Sequence, residues 1–168
     1  MMSSSFTARA GKFARDDSGV ALVEFALVLP MMLVVFAVII EGSRMMMSYE
    51  SAISGVRDAA RYLARVTDAG ACVSGSTVTV AGQAAALKTL IENGQTGSTI
   101  FAPNVTIGAV TPSFRCVTGP YRNGPVPVAE VTAQVTVIFP LGGILVWLGG
   151  DLPTMTTTVT DQARIFGS

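Results

Sequence analysis

From Val20 to Ile40 the chain is apolar almost without a break: Glu24 is the one charged residue, and Pro30 alone interrupts a series of Met, Leu, Val, Ile, Phe and Ala. Coiled as a helix at about 1.5 Å per residue, the run reaches ~31 Å, the thickness of one hydrocarbon core. The pattern predicts one transmembrane helix over 20–40. Pro30 removes a backbone hydrogen bond and predicts a kink, which membrane helices tolerate where the freed groups find partners. A buried helix in a soluble core is the competing reading, and it needs a much larger protein around it. An ordinary secretory signal fits less well. The run exceeds the ~7–15 residues of a signal core, and no A-x-A site follows it.

Beyond Ile40 the spacing changes. Met45, Tyr49, Ile53, Val56, Ala60 and Leu63 recur at steps of three and four, while Arg44, Glu50, Arg57, Asp58, Arg61 and Arg65 fall mostly between them. This is the period of an amphipathic helix, predicted over 41–66 as a stalk continuing the membrane helix. Gly42 and Gly55 are its weak points. Residues 81–93 predict a short helix with an apolar edge of Ala85, Leu87, Leu90 and Ile91 and a stop at Gly94. Then a period of two takes over, in Val105–Ile107, Glu130–Phe139 and Met155–Ile165. Connectors rich in Gly and Pro, GPYRNGPVP and GGDLP, divide these strands. The fold class is α+β: a membrane helix, a stalk helix, and over 67–168 a small domain with a short helix and a roughly three-stranded antiparallel sheet.

Charge sets the orientation. Arg9, Lys12 and Arg15 precede the apolar run, whereas Glu41, Arg44 and Glu50 are the nearest charges after it. By the positive-inside rule the N-terminus stays in the cytoplasm and the domain is exported. The formal net charge of zero argues against nucleic-acid binding. The chain has no histidine, which excludes Ser-His-Asp and Cys-His nucleophile arrangements and leaves a structural zinc shell incomplete. No phosphate-binding loop or dinucleotide fingerprint occurs. Glu92, Glu130, Asp151 and Asp161 are scattered. No enzyme, cofactor or small-molecule substrate is expected. The Met45-Met46-Met47 triplet has thioethers suited to Cu(I), but consecutive helical positions point to different faces, so it reads as soft packing surface.

Cys72 and Cys116 are the only cysteines. On the exported side of a membrane they are able to bridge, closing a long loop between stalk and distal domain; two free thiols are the other reading. The stretch 140–150, PLGGILVWLGG, is apolar but too short to span a bilayer. It reads equally as a membrane or subunit contact around Trp147 and as a loop folded over the sheet.

The residue that stands out is Glu24. A carboxylate in hydrocarbon costs roughly 2.5–3.5 kcal/mol at a helix centre on insertion scales, and less near an end. It lies five residues after Gly19, in GVALVEF. Gly19 followed by Val20, Ala21, Leu22, Val23, Glu24 and Phe25 is the GxxxxEF pattern of class III signal peptides. With ALVLP and the later segment RDAARYLAR, the N-terminal part resembles TadE-like proteins, the minor pilins or pseudopilins of Flp (tight adherence) pilus systems. Beyond about Asp68 the likeness is one of general layout.

The resemblance implies a leader, residues 1–19, removed by a prepilin peptidase between Gly19 and Val20 on the cytoplasmic face. A glycine lets the backbone enter a protease cleft in extended form. The new Val20 amine and the Glu24 carboxylate then lie four residues apart on one helix face. In related type IV pilins the acid meets the amine of a neighbouring subunit. A snorkelling acid with no partner is the alternative role for Glu24. The mature chain would begin with valine, with Phe25 after the acid, which fits the Flp branch. Whether Val20 is N-methylated, and whether the chain is of the TadE or TadF type, stays open. Implied partners are the peptidase, other Flp pilins and inner-membrane platform proteins, at the inner membrane or within a pilus. An unprocessed single-pass anchor or scaffold of an envelope secretion machine, and a tethered binding or enzymatic domain, are the remaining readings.

Overall fold

A computed structural model describes residues 18–94, 97–121, 124–147 and 154–167. The chain divides into two compact units, residues 1–40 and 41–168. One helix, α1 (Ser18–Val66), contributes to both and is continuous through Pro30.

In the first unit α1 carries the apolar run. Leu22, Phe25, Leu27, Met31, Leu33 and Ile39 are all exposed. Such side chains on a helix long and apolar enough to cross a membrane belong in hydrocarbon, and among the described residues this is the one helix able to anchor the chain. Pro30 lacks an N–H, so the carbonyl of Ala26 loses its usual partner one turn back.

The second unit is one sheet and two helical segments around a single core. Strands β1 (Val105–Val117), β2 (Val126–Ile138) and β3 (Thr154–Arg164) form an antiparallel sheet in the order β1-β2-β3. Along β2, Ala129, Val131, Ala133, Val135 and Val137 are buried on one face. Small and β-branched side chains suit this position between two neighbours. The opposite face is polar: Thr132 bonds Thr160 at 2.9 Å, Thr136 bonds Thr156 at 3.0 Å, and Gln162 donates to Glu130 at 2.6 Å. The alternation expected from EVTAQVTVIF is therefore the inside-outside alternation of the sheet.

The half of α1 within this unit supplies the larger helical surface. Ala52, Val56, Ala59, Ala60, Leu63 and Ala64 are buried in the same core as β2. Four alanines in that stripe let the helix lie close to its neighbours. Helix α2 (Ala84–Asn93) adds Leu87 and Ile91, both fully buried, and ends at Gly94 with φ +58°. Gly55 is where α1 and α2 meet: a Cβ there would sit 3.1 Å from the Ile91 carbonyl oxygen. Arg57 of α1 reaches Asp161 of β3 at 3.2 Å, tying helix to sheet edge.

Three features differ from the sequence reading. Within 41–66 the buried positions of α1 begin with Glu41 and Ser48, while Tyr49 is exposed. Ser48 satisfies its hydroxyl by donating to the Arg44 carbonyl at 2.8 Å, so a polar side chain costs little there. Strand β1 runs to Val117 instead of stopping at Ile107. Its register with β2 slips between Ile107 and Val110, one extra residue that moves the inward positions from odd to even numbers. Pro112 is accommodated because β1 is an edge strand. The 81–93 helix divides into a 3-10 turn at Ala81–Gln83 and α2 proper, with Ala85 exposed.

Candidate functional site

The candidate processing segment is the first two turns of α1. Gly19 and Val20 are already helical, one and two residues after the helix begins at Ser18. A Cβ built on Gly19 meets nothing within 4 Å. No packing among the described residues therefore asks for glycine, although glycine in a helix costs about 1 kcal/mol relative to alanine. That cost weakens the first turn of the helix. Val20, Glu24 and Phe25 are exposed, and nothing among the described residues pairs with the Glu24 carboxylate. Val20 and Glu24 are separated by about one turn, ~6 Å of rise. The leader before Ser18 lies outside the described residues.

Cys72 and Cys116 are joined by a disulfide, with Cα atoms 5.7 Å apart. Cys72 ends the 3-10 turn Ala69–Cys72, whose start is fixed by Asp68 accepting from the Gly70 N–H at 2.6 Å. Cys116 is the penultimate residue of β1. The bridge thus links the segment just after α1 to the far end of an edge strand. It spans 44 residues, and closing a loop of that length removes about 4 kcal/mol of unfolded-state entropy.

The Met triplet spreads around α1: Met45 is half-buried, and Met46 and Met47 are exposed. Among the described residues, no three His, Cys, Asp or Glu side chains gather as metal ligands do.

One residue had only a minor place in the sequence reading. Glu41 follows the apolar run directly and is just 6% exposed. Its Oε1 accepts from the Leu141 backbone N–H at 2.7 Å, while Oε2 is buried without a hydrogen-bond partner among the described residues. Leu141 precedes the short helix α3 (Gly142–Trp147). An acid at the end of a transmembrane run was the available signal, but its partner a hundred positions away was not legible.

Comparison with protein families gives a match to the model for "TadE-like protein" over residues 19–61. The match begins at Gly19, takes in Glu24 and Phe25, and ends within the helical segment that carries RDAARYLAR. Comparisons with curated proteins and with solved structures return no match. Over residues 19–61, the chain is similar to TadE-like proteins.

Proposed function

We propose that the chain is a minor pilin or pseudopilin of a Flp-type (tight adherence) pilus, cut by a prepilin peptidase between Gly19 and Val20. The observation that carries this reading is the family match starting at Gly19 itself, with Glu24 five residues on. Several physical features agree with it. Among the described residues nothing packs against Gly19 closely enough to require a glycine, which is compatible with a need for it in cleavage. Cleavage would make Val20 the first helical residue and bring Glu24 close to a new helix N-terminus. There both the helix dipole and the Val20 ammonium favour a carboxylate.

In this reading the leader, with Arg9, Lys12 and Arg15, stays cytoplasmic and the domain is exported from the inner membrane. The disulfide fits an oxidising compartment. The partners are the peptidase, other pilins that contact the apolar face of residues 20–40, and platform proteins of the inner membrane.

The test is Gly19→Leu co-expressed with a prepilin peptidase. A bulky side chain at the cut blocks entry to the protease cleft, so the variant keeps its leader while the wild type loses it, as read by intact mass. An identical mass shift for both places the cut elsewhere.

A further inference from the structure

We infer that the short helix α3, whose entry is hydrogen-bonded to Glu41 just after the apolar run, lies in the lipid headgroup region and gives the chain a second contact with the bilayer. The inference rests on residues 20–40 being a membrane anchor, and is independent of the pilus reading.

It starts from the bond between Glu41 and Leu141. Glu41 is the first residue after the apolar run, so its Cα lies where the chain leaves hydrocarbon. The Leu141 N–H is held to its carboxylate at 2.7 Å. Gly142 in turn donates to Phe139 at 3.0 Å, which fixes how the chain enters α3. The start of α3 is thereby tied to the depth of the interface by a charge-assisted hydrogen bond, shielded from competing water because Glu41 is buried.

The sequence at that depth suits lipid. From Pro140 to Gly150 there is no charged side chain, and Ile144, Leu145, Val146 and Trp147 follow in succession. Val146 is 50% exposed. Two more exposed apolar side chains belong to the same end of the sheet, Ile138 at the end of β2 and Met155 near the start of β3, where Val137 pairs with Met155. An uncharged apolar helix with a tryptophan is the composition that partitions to membrane interfaces. Lipid already surrounds each copy at this depth, whereas a second protein has to be recruited to it. That favours lipid over another subunit as the occupant.

Trp147 is the only tryptophan in the chain, so its fluorescence reports on this segment alone. The full chain is reconstituted into phosphatidylcholine–phosphatidylglycerol vesicles, with a nitroxide on the lipid either near the headgroup or at the acyl-chain end. The expected result is a blue-shifted emission, quenched more by the headgroup-proximal nitroxide than by the deep one. Glu41→Ala should lose much of that quenching, and Glu41→Gln, which keeps an acceptor oxygen, should retain it. Emission unaffected by either nitroxide overturns the inference. So does emission that follows the protein-to-lipid ratio instead of the label, which means a contact between copies. Equal quenching in Glu41→Ala and wild type overturns the role of the tether. Flotation of the same vesicles reads the anchor separately: protein that fails to float overturns the membrane reading as well, whereas protein that floats unquenched overturns this inference alone.

Discussion

At the scale of single residues, the proposed role makes the acid at position 24 the place where cutting and assembly can be told apart. If the peptidase reads Gly19 and its cytoplasmic surroundings, the carboxylate matters afterwards, when a free ammonium exists at Val20 in a medium of low dielectric. Glu24→Ala leaves that ammonium without a partner, and breaking a buried pair in this way typically costs ~3–5 kcal/mol. Glu24→Gln preserves size and some hydrogen bonding but not charge, so it should behave nearly as badly. Both variants should be cleaved yet fail to join other pilins, as read by membrane crosslinking and pilus yield. Normal crosslinks from cleaved Glu24→Ala protein would mean that the acid only snorkels to the interface. Gly19, Glu24 and Phe25 could be read from the sequence because their spacing is local. Glu41 could not, since what its carboxylate does depends on a backbone N–H brought to it by the whole fold.

At the scale of elements, the contact between α1 and α2 depends on the missing side chain of Gly55. Ile91 presents its carbonyl oxygen at 3.1 Å and its Cα at 3.3 Å from where a Cβ would stand, and backbone yields less readily than a flexible side chain. Gly55→Leu should therefore push α2 off the core and destabilise the α+β domain by about 1–3 kcal/mol, the usual cost of overpacking. A lowered midpoint in thermal or urea unfolding checks this, and an unchanged midpoint would contradict the close approach. The disulfide belongs to the same scale. Cys72→Ser with Cys116→Ser should cost ~2–5 kcal/mol, measured by denaturation against the oxidised wild type. Protein recovered from the envelope should show neither thiol to an alkylating reagent until it is reduced. Strand β2 is legible from Glu130 onward, where apolar and polar residues alternate, but its first four residues, Val126 to Ala129, carry no such alternation and only the fold shows them as strand. Most of β1 was hidden by its own geometry. The extra residue near Gly108 and Ala109 reverses the alternation midway, and Pro112 looks like a terminator unless the strand is known to be at an edge. Hydrophobicity places Tyr49 in the helical stripe ahead of Ser48, whereas the fold buries the smaller residue.

For the molecule as a whole, an N-terminal segment similar to TadE-like proteins, which contains the membrane-spanning run, is followed along the chain by a disulfide-bonded α+β domain. The order makes sense if the N-terminal part is what the assembly machinery handles. The domain then needs stability without a large core, which the disulfide and the alanine-lined helix contact provide. Everything in the proposed role depends on one covalent event at the N-terminal end. N-terminal sequencing of the protein extracted from membranes of cells with an active prepilin peptidase tests it most directly. The account predicts a chain beginning Val-Ala-Leu-Val-Glu, with or without a methyl group on the first nitrogen. A chain that still carries Gly19 and the residues before it, in cells where the peptidase processes its other substrates, would contradict it.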